Sequence, residues 1–136
     1  MQLNEILEEN TIKGISQKTK ISEDNLENLL AANFDALKKI KALGFISILE
    51  REYKADLSAL REEALAHYNK AIELGPGLPE PYMYRGVLHV QMGNKDLALK
   101  DHKTLLAMQS ALAVELEYVI TEGHEKEPEQ FFGVSR

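Results

Sequence analysis

The chain has 136 residues, 44% apolar and 28% charged, with a formal charge of −6 and no cysteine, which is the size and make-up of one soluble domain or two very small ones. Without cysteine there is no disulfide framework and no thiolate metal ligand, and no apolar run approaches the roughly 20 residues that a membrane-spanning helix needs. Both halves are acidic, nine basic against eleven acidic side chains in residues 1–62 and seven against eleven in residues 63–136, the reverse of the basic footprint that dominates nucleic-acid affinity.

Apolar residues recur at three- and four-residue spacings almost throughout and nowhere alternate with polar ones, so the expectation is an all-α chain. The opening MQLNEILEEN is acidic and shows no signal-peptide pattern, which leads to a cytoplasmic assignment. Within it Leu3, Ile6 and Leu7 begin a first helix ending near Asn10. Ile12 and Ile15 line a second, closed by a turn at Lys18-Thr19-Lys20. Ser22 is the expected N-cap of a third, with Leu26, Leu29 and Leu30 on its buried face and an acidic first turn suited to the helix dipole. Asp35 is placed to cap a further helix with Leu37, Ile40 and Leu43 inside, and Gly44 to start another, amphipathic through Phe45, Ile48, Leu49 and Tyr53. Asp56 and Ser58 are candidate caps for a helix running from Leu60 to Leu74. The stretch LGPGLPEP then breaks the chain. A helix resumes near Glu80 and stops at Gly93-Asn94, Asp96 caps the next through Met108, and Ser110 caps a last one with Leu112, Leu116, Val119 and Ile120 on one face. Gly123 ends it. The expected organisation is residues 1–62, residues 63–123, and a charged tail 124–136 carrying Phe131-Phe132.

The sequence repeats itself at an offset of 34 residues: EALAHYNKAIEL from Glu63 and LALKDHKTLLAM from Leu97. Ala64-Leu65 recurs as Ala98-Leu99, Tyr68 as His102, and Ala71-Ile72 and Leu74 as Leu105-Leu106 and Met108. A period of that length in helical pairs resembles the tetratricopeptide repeat family. Ala64, Tyr68, Ala71 and Pro76 match the second helix of one repeat and its terminating proline. Tyr82, Gly86, Gly93, Ala98 and His102 match the aromatic, helix-contact glycine, turn glycine, small residue and aromatic of the next. Arg85, His89 and Ser110 depart from the family's leucine, tyrosine and proline. Gly86 and Ala98 suit a close approach of two antiparallel helices, and Gly93 a tight turn at positive φ. The resemblance covers residues 64–123 and implies a peptide-binding module, with Tyr82, Arg85, His89 and Gln91 as candidate contacts lining its concave groove.

Residues Ile12 to Leu30 resemble the helix-turn-helix of phage-repressor-type regulators, with Ile15, Ile21, Leu26 and Leu29 at the buried positions. Ser16 and Lys20 replace the usual alanine and glycine. The following segment, with Phe34 and Leu37, Gly44-Phe45 and Asp56, makes residues 1–62 resemble the cytoplasmic domain of the bacterial cell-shape protein RodZ. That resemblance implies a helix-turn-helix used to bind protein, namely the actin-like filament protein MreB. The membrane-spanning helix of RodZ has no counterpart here. An acidic second helix opposes DNA, because Glu23, Asp24 and Glu27 face a polyanion against the counterion-release term that drives binding. Glu23, Asp24, Glu27 and Asn28 are therefore the candidate protein-binding surface. In the competing reading of a transcription regulator, Lys13, Lys18 and Lys20 touch phosphate while Asn25 and Asn28 read adenine edges.

The four histidines, His67, His89, His102 and His124, show no ligand spacing, and no metal or cofactor is expected. No phosphate-cradling glycine loop or nucleophile motif occurs, Glu8-Glu9 and Glu62-Glu63 sit on solvated faces, and no enzyme is expected. The basic cluster Lys38, Lys39 and Lys41 reads as a solvated helix face. The expected function is a non-catalytic adaptor for a protein or peptide, with DNA-binding regulation as the alternative.

Overall fold

The computed structural model describes residues 3–33 and 39–122. Among them are eight helices and no strand, so the chain is all-α. The helices are α1 Leu3–Glu9, α2 Ile12–Thr19, α3 Glu23–Leu30, α4 Lys39–Tyr53, α5 Ser58–Leu74, α6 Pro79–Gln91, α7 Lys95–Ala107 and α8 Leu112–Glu122. Two compact units divide the described residues, the boundary falling between Glu62 and Glu63 inside α5. Phe34, Asp35, Leu37, Gly123, His124 and the Phe131-Phe132 tail lie outside the described residues, as do the side chains of Lys38, Lys39, Ile40 and Lys41.

In the first unit, local hydrogen bonds set each helix end. Asn10 closes α1, its backbone N–H and its Nδ2 both donating to the carbonyl of Ile6 at 2.9 and 3.1 Å. Thr11 Oγ1 accepts from Gly14 N at 3.0 Å to start α2, and Ser22 Oγ accepts from Asn25 N at 3.2 Å to start α3. These caps supply acceptors to N–H groups that have no partner within their helices. Between the two helices Lys20 takes a left-handed conformation, φ 65°, and its N–H returns to the carbonyl of Ser16. The buried Thr19 hydroxyl donates to the carbonyl of Ile15 and accepts from Ile21 N, tying the turn to the helix before it. Ile21 is fully buried within that turn and joins Ile6, Ile15, Leu26 and Leu29 in the core.

Helix α4 corrects the expectation of two helices meeting at Gly44. It is continuous, and Gly44 lies inside it. It is not amphipathic over its middle, because Leu43, Gly44, Phe45, Ile46, Ile48 and Leu49 are all buried. A helix enclosed on nearly every side has no polar stripe to mark its period, so its start cannot be read from periodicity. Asp56 acts as expected: its Oδ1 accepts from both the backbone N–H and the hydroxyl of Ser58 at the start of α5.

In the second unit α6 packs against both α7 and α8, and α7 packs against α8. Pro79 begins α6, where its missing N–H costs nothing. Gly93, φ +80°, follows the helix, and Asn94 N reaches the carbonyl of His89 at 2.7 Å. Asn94, not Asp96, is the residue at the start of α7, and it caps without a side-chain bond. Ser110 Oγ accepts from Leu112 N at 3.2 Å, as expected of a cap for α8. Gly86 is the position of close approach, and it faces α8: a Cβ there would lie 2.6 Å from Leu116 Cδ2.

Candidate functional site

The α6 residues singled out in the sequence come together in a polar network within the second unit. Arg85 forms a two-pronged pair with Asp101 of α7, Nε to Oδ2 at 3.0 Å and Nη2 to Oδ1 at 2.6 Å. Its remaining Nη1 donates to Asn69 Oδ1 of α5 at 3.1 Å. The guanidinium lies 5.5 Å from the centre of the Tyr82 ring, and the Tyr82 hydroxyl donates to the carbonyl of Pro76. One arginine thus links α5, α6 and α7, and its planar fork suits a carboxylate better than a lysine would. The hydrogen bond to Asp101 raises the Arg85 pKa further, against the opposing effect of burial.

His89 lies one turn along α6, buried, with Nε2 3.9 Å from Asp101 Oδ2. Its Nδ1 is buried and has no hydrogen-bond partner among the described residues. Burial depresses its pKa and Arg85 adds to that, while Asp101 pulls the other way. Gln91, at the end of α6, is half-buried. The structure therefore engages Tyr82, Arg85 and His89 in contacts within the chain. Asp101, the anion that organises them, was not singled out from the sequence. Its signal was present: it falls three residues after Ala98 and four before Leu105, both buried, which puts a carboxylate on the apolar face of α7.

In the first unit Glu23, Asp24 and Glu27 are exposed on α3, and Asn25 and Asn28 are half-buried. Asn28 Oδ1 accepts from Asn33 Nδ2 at 3.2 Å, and its backbone carbonyl accepts from Asn33 N at 2.8 Å. Of the candidate phosphate contacts, Lys13 and Lys20 are exposed on and beside α2, and Lys18 Nζ stands 4.5 Å above the Tyr53 ring. So the acidic and basic candidates lie on neighbouring helices of one small unit.

Exposed apolar side chains are unevenly distributed. Among the described residues, Leu74, Leu78, Leu97, Leu99, Leu106 and Val114 are exposed in the second unit, against Leu7 alone in the first. A hollow of about 270 Å³ opens between the ends of α6 and α8 and the start of α7, lined by Val90, Gly93, Lys95, Ile120, Thr121 and Glu122. No group of three metal-ligating side chains converges among the described residues, and no helix among them is long and apolar enough to cross a membrane. No protein-family model, curated protein or solved structure matches the chain.

Proposed function

We propose that the chain is a non-catalytic protein-interaction adaptor, with its main contact surface on the second unit. The observation that carries this reading is the concentration of exposed large apolar side chains there, six against one in the first unit among the described residues. Where such side chains lie together they form surfaces that bind other proteins, and Leu99 and Leu106 share one face of α7. The tetratricopeptide resemblance of residues 64–123 points the same way. In this reading Arg85, Tyr82 and His89 hold α5, α6 and α7 in register, and Gln91, half-buried at the end of α6, is a further candidate contact. The acidic face of α3, with Glu23, Asp24, Glu27 and Asn28, is a second protein contact. The resemblance of residues 1–62 to the RodZ cytoplasmic domain, a bacterial and cytoplasmic setting, supports a filament-forming protein as the kind of partner for that face.

The competing regulator reading draws on the exposure of Lys13 on α2 and of Lys20 in the turn that follows it. The exposed carboxylates of α3 oppose it on electrostatic grounds. Two titrations decide between them. Peptides selected from a displayed random library against the purified chain are expected to bind saturably and to be indifferent to Lys18→Glu plus Lys20→Glu. Mixed-sequence duplex DNA is expected not to bind at low salt. Saturable DNA binding that collapses as salt rises, and is lost in the double lysine variant, would replace the adaptor by the regulator.

A further inference from the structure

We propose that the outward face of α7 is a docking surface for an acidic amphipathic helix. This rests on the adaptor reading and names the surface and the chemistry of its partner. The inward face of α7 is committed to the unit through Ala98, Asp101 and Leu105, all buried. Away from that face, on one flank of the helix, Leu99 is 47% and Leu106 56% exposed. These two are seven residues apart, two helical turns, so they stand on one stripe about 10 Å apart along the axis. Lys95 and Lys103, both exposed, lie four residues either side of Leu99 and flank that stripe.

Apolar anchors at that repeat match the knobs of a partner helix laid alongside, because a second helix presents side chains with the same seven-residue period. Charge fixes the partner's sign. The chain carries −6 overall, yet the α7 ionic residues flanking this stripe are Lys95 and Lys103; Asp96 and Lys100 stand further round the helix, and among the described residues of α8 Glu122 lines the same hollow as Lys95. Glutamates flanking the partner's apolar stripe meet Lys95 and Lys103. Such exposed pairs contribute little affinity individually, so the leucines hold the partner and the lysines choose its charge and orientation.

The test is a fluorescence-anisotropy titration of the full chain with a labelled synthetic helix bearing leucines at i and i+7 and glutamates on either side. A second peptide has each glutamate replaced by lysine. The acidic peptide is expected to bind and the basic one not to. Leu99→Asp with Leu106→Asp is expected to weaken binding about a hundredfold, as loss of two anchoring side chains does. Lys95→Glu with Lys103→Glu is expected to weaken it about tenfold and to invert the charge preference. All four positions are exposed, so circular dichroism and urea unfolding of both variants are expected to match the parent. Equal binding of the two peptides, or affinity unchanged in either variant, overturns the proposal. So does a parent that sediments as a dimer and becomes a monomer in the leucine variant, which assigns the face to a second copy. Binding to anionic lipid vesicles that the leucine variant abolishes assigns it to a membrane surface and overturns it likewise. If library-selected peptides bind but none is weakened by the leucine variant, the adaptor reading stands and this surface falls; if none binds at all, both fall.

Discussion

Each unit of the chain contains a buried arginine–carboxylate pair, and the two are built in opposite senses. In the first, Arg61 of α5 is the buried partner, 9% exposed at the side chain, and Glu50 of α4 is 25% exposed. In the second, Asp101 is buried at 2% and Arg85 is the 25% exposed partner. Glu50 Oε2 accepts from Arg61 Nη1 at 2.6 Å and from Leu57 N at 3.1 Å, so its carboxylate also ties down the connection between α4 and α5. Arg61 Nη2 reaches Ser47 Oγ at 3.3 Å. The difference teaches which half of a pair is indispensable: the half whose removal strands a charge that water cannot reach.

The largest effect is therefore expected from Arg85→Leu. It leaves the Asp101 carboxylate buried, with His89 3.9 Å away as its remaining ionic partner among the described residues, and loss of one partner of such a pair costs about 3–5 kcal/mol. Urea unfolding measures it. Arg85→Leu with Asp101→Leu is expected to return to within about 1 kcal/mol of the parent, because an apolar pair of similar volume carries no desolvation penalty. A double variant as unstable as the single one would show that the network positions the helices through its geometry and not merely by avoiding a stranded charge. Next in size is Gly86→Ala, where the new Cβ would lie 2.6 Å from Leu116 Cδ2. Overpacking of this kind costs about 1–3 kcal/mol. Leu116→Val in the same chain is expected to recover part of it, since it withdraws the atoms in the way. Gly93→Ala serves as the contrast: nothing lies within 4 Å of its Cβ, so its cost comes from the left-handed backbone alone, about 1–2 kcal/mol.

These two glycines also show what the sequence made legible. Gly93 stands where a helix pattern stops and a capping region begins, and Ser22, Asp56 and Ser110 announce themselves as caps by residue type; local rules suffice for all four. Gly86 was legible as a place of close approach through its resemblance to the helix-contact glycine of the tetratricopeptide repeat, but its neighbour was not, because Leu116 is thirty positions away and belongs to another helix. The continuity of α4 was hidden for a different reason. Its middle is buried on nearly every side, so Gly44 read as a start when it is an interior residue. In the candidate site the residue types on α6 were visible, while their engagement by Asn69 and Asp101 was not. Those partners are each sixteen residues from Arg85, a separation that no helical period connects. The exposed stripe of α7 was open to reading, since Leu99 and Leu106 share a face, but only burial of Ala98, Asp101 and Leu105 shows that they are left outside.

Glu50→Gln probes the first unit's pair. Glutamine still accepts from Leu57 N, yet Arg61 loses its counter-charge in the more enclosed position. A cost of about 1–2 kcal/mol is expected, in the range of a charge-assisted hydrogen bond weakened to a neutral one. If thermal or urea unfolding shows no change, the buried guanidinium is satisfied without Glu50 and the opposition between the two pairs disappears.

The smallest effect belongs to His89 and depends on pH. Burial lowers its pKa, Arg85 lowers it further, and Asp101 raises it, the net direction being down from an unfolded value of about 6.5. The unfolded chain then binds a proton at a higher pH than the folded chain does. The stability contributed by the neutral ring is complete above about pH 6.5 and is lost as pH falls from there toward the folded value, below which the loss levels off. One proton limits the slope to at most about 1.4 kcal/mol per pH unit. Carboxylates titrate at lower pH, so the readout is the difference between the parent and His89→Gln in urea midpoints across the mildly acidic range. The parent is expected to lose stability faster than the variant as pH drops. A flat difference would mean that the Asp101 carboxylate 3.9 Å away offsets burial and Arg85, and one of the opposite sign that it outweighs both. In that case the anion at the centre of the network serves the histidine as well as the arginine, and removing Arg85 would leave it a cationic partner at low pH.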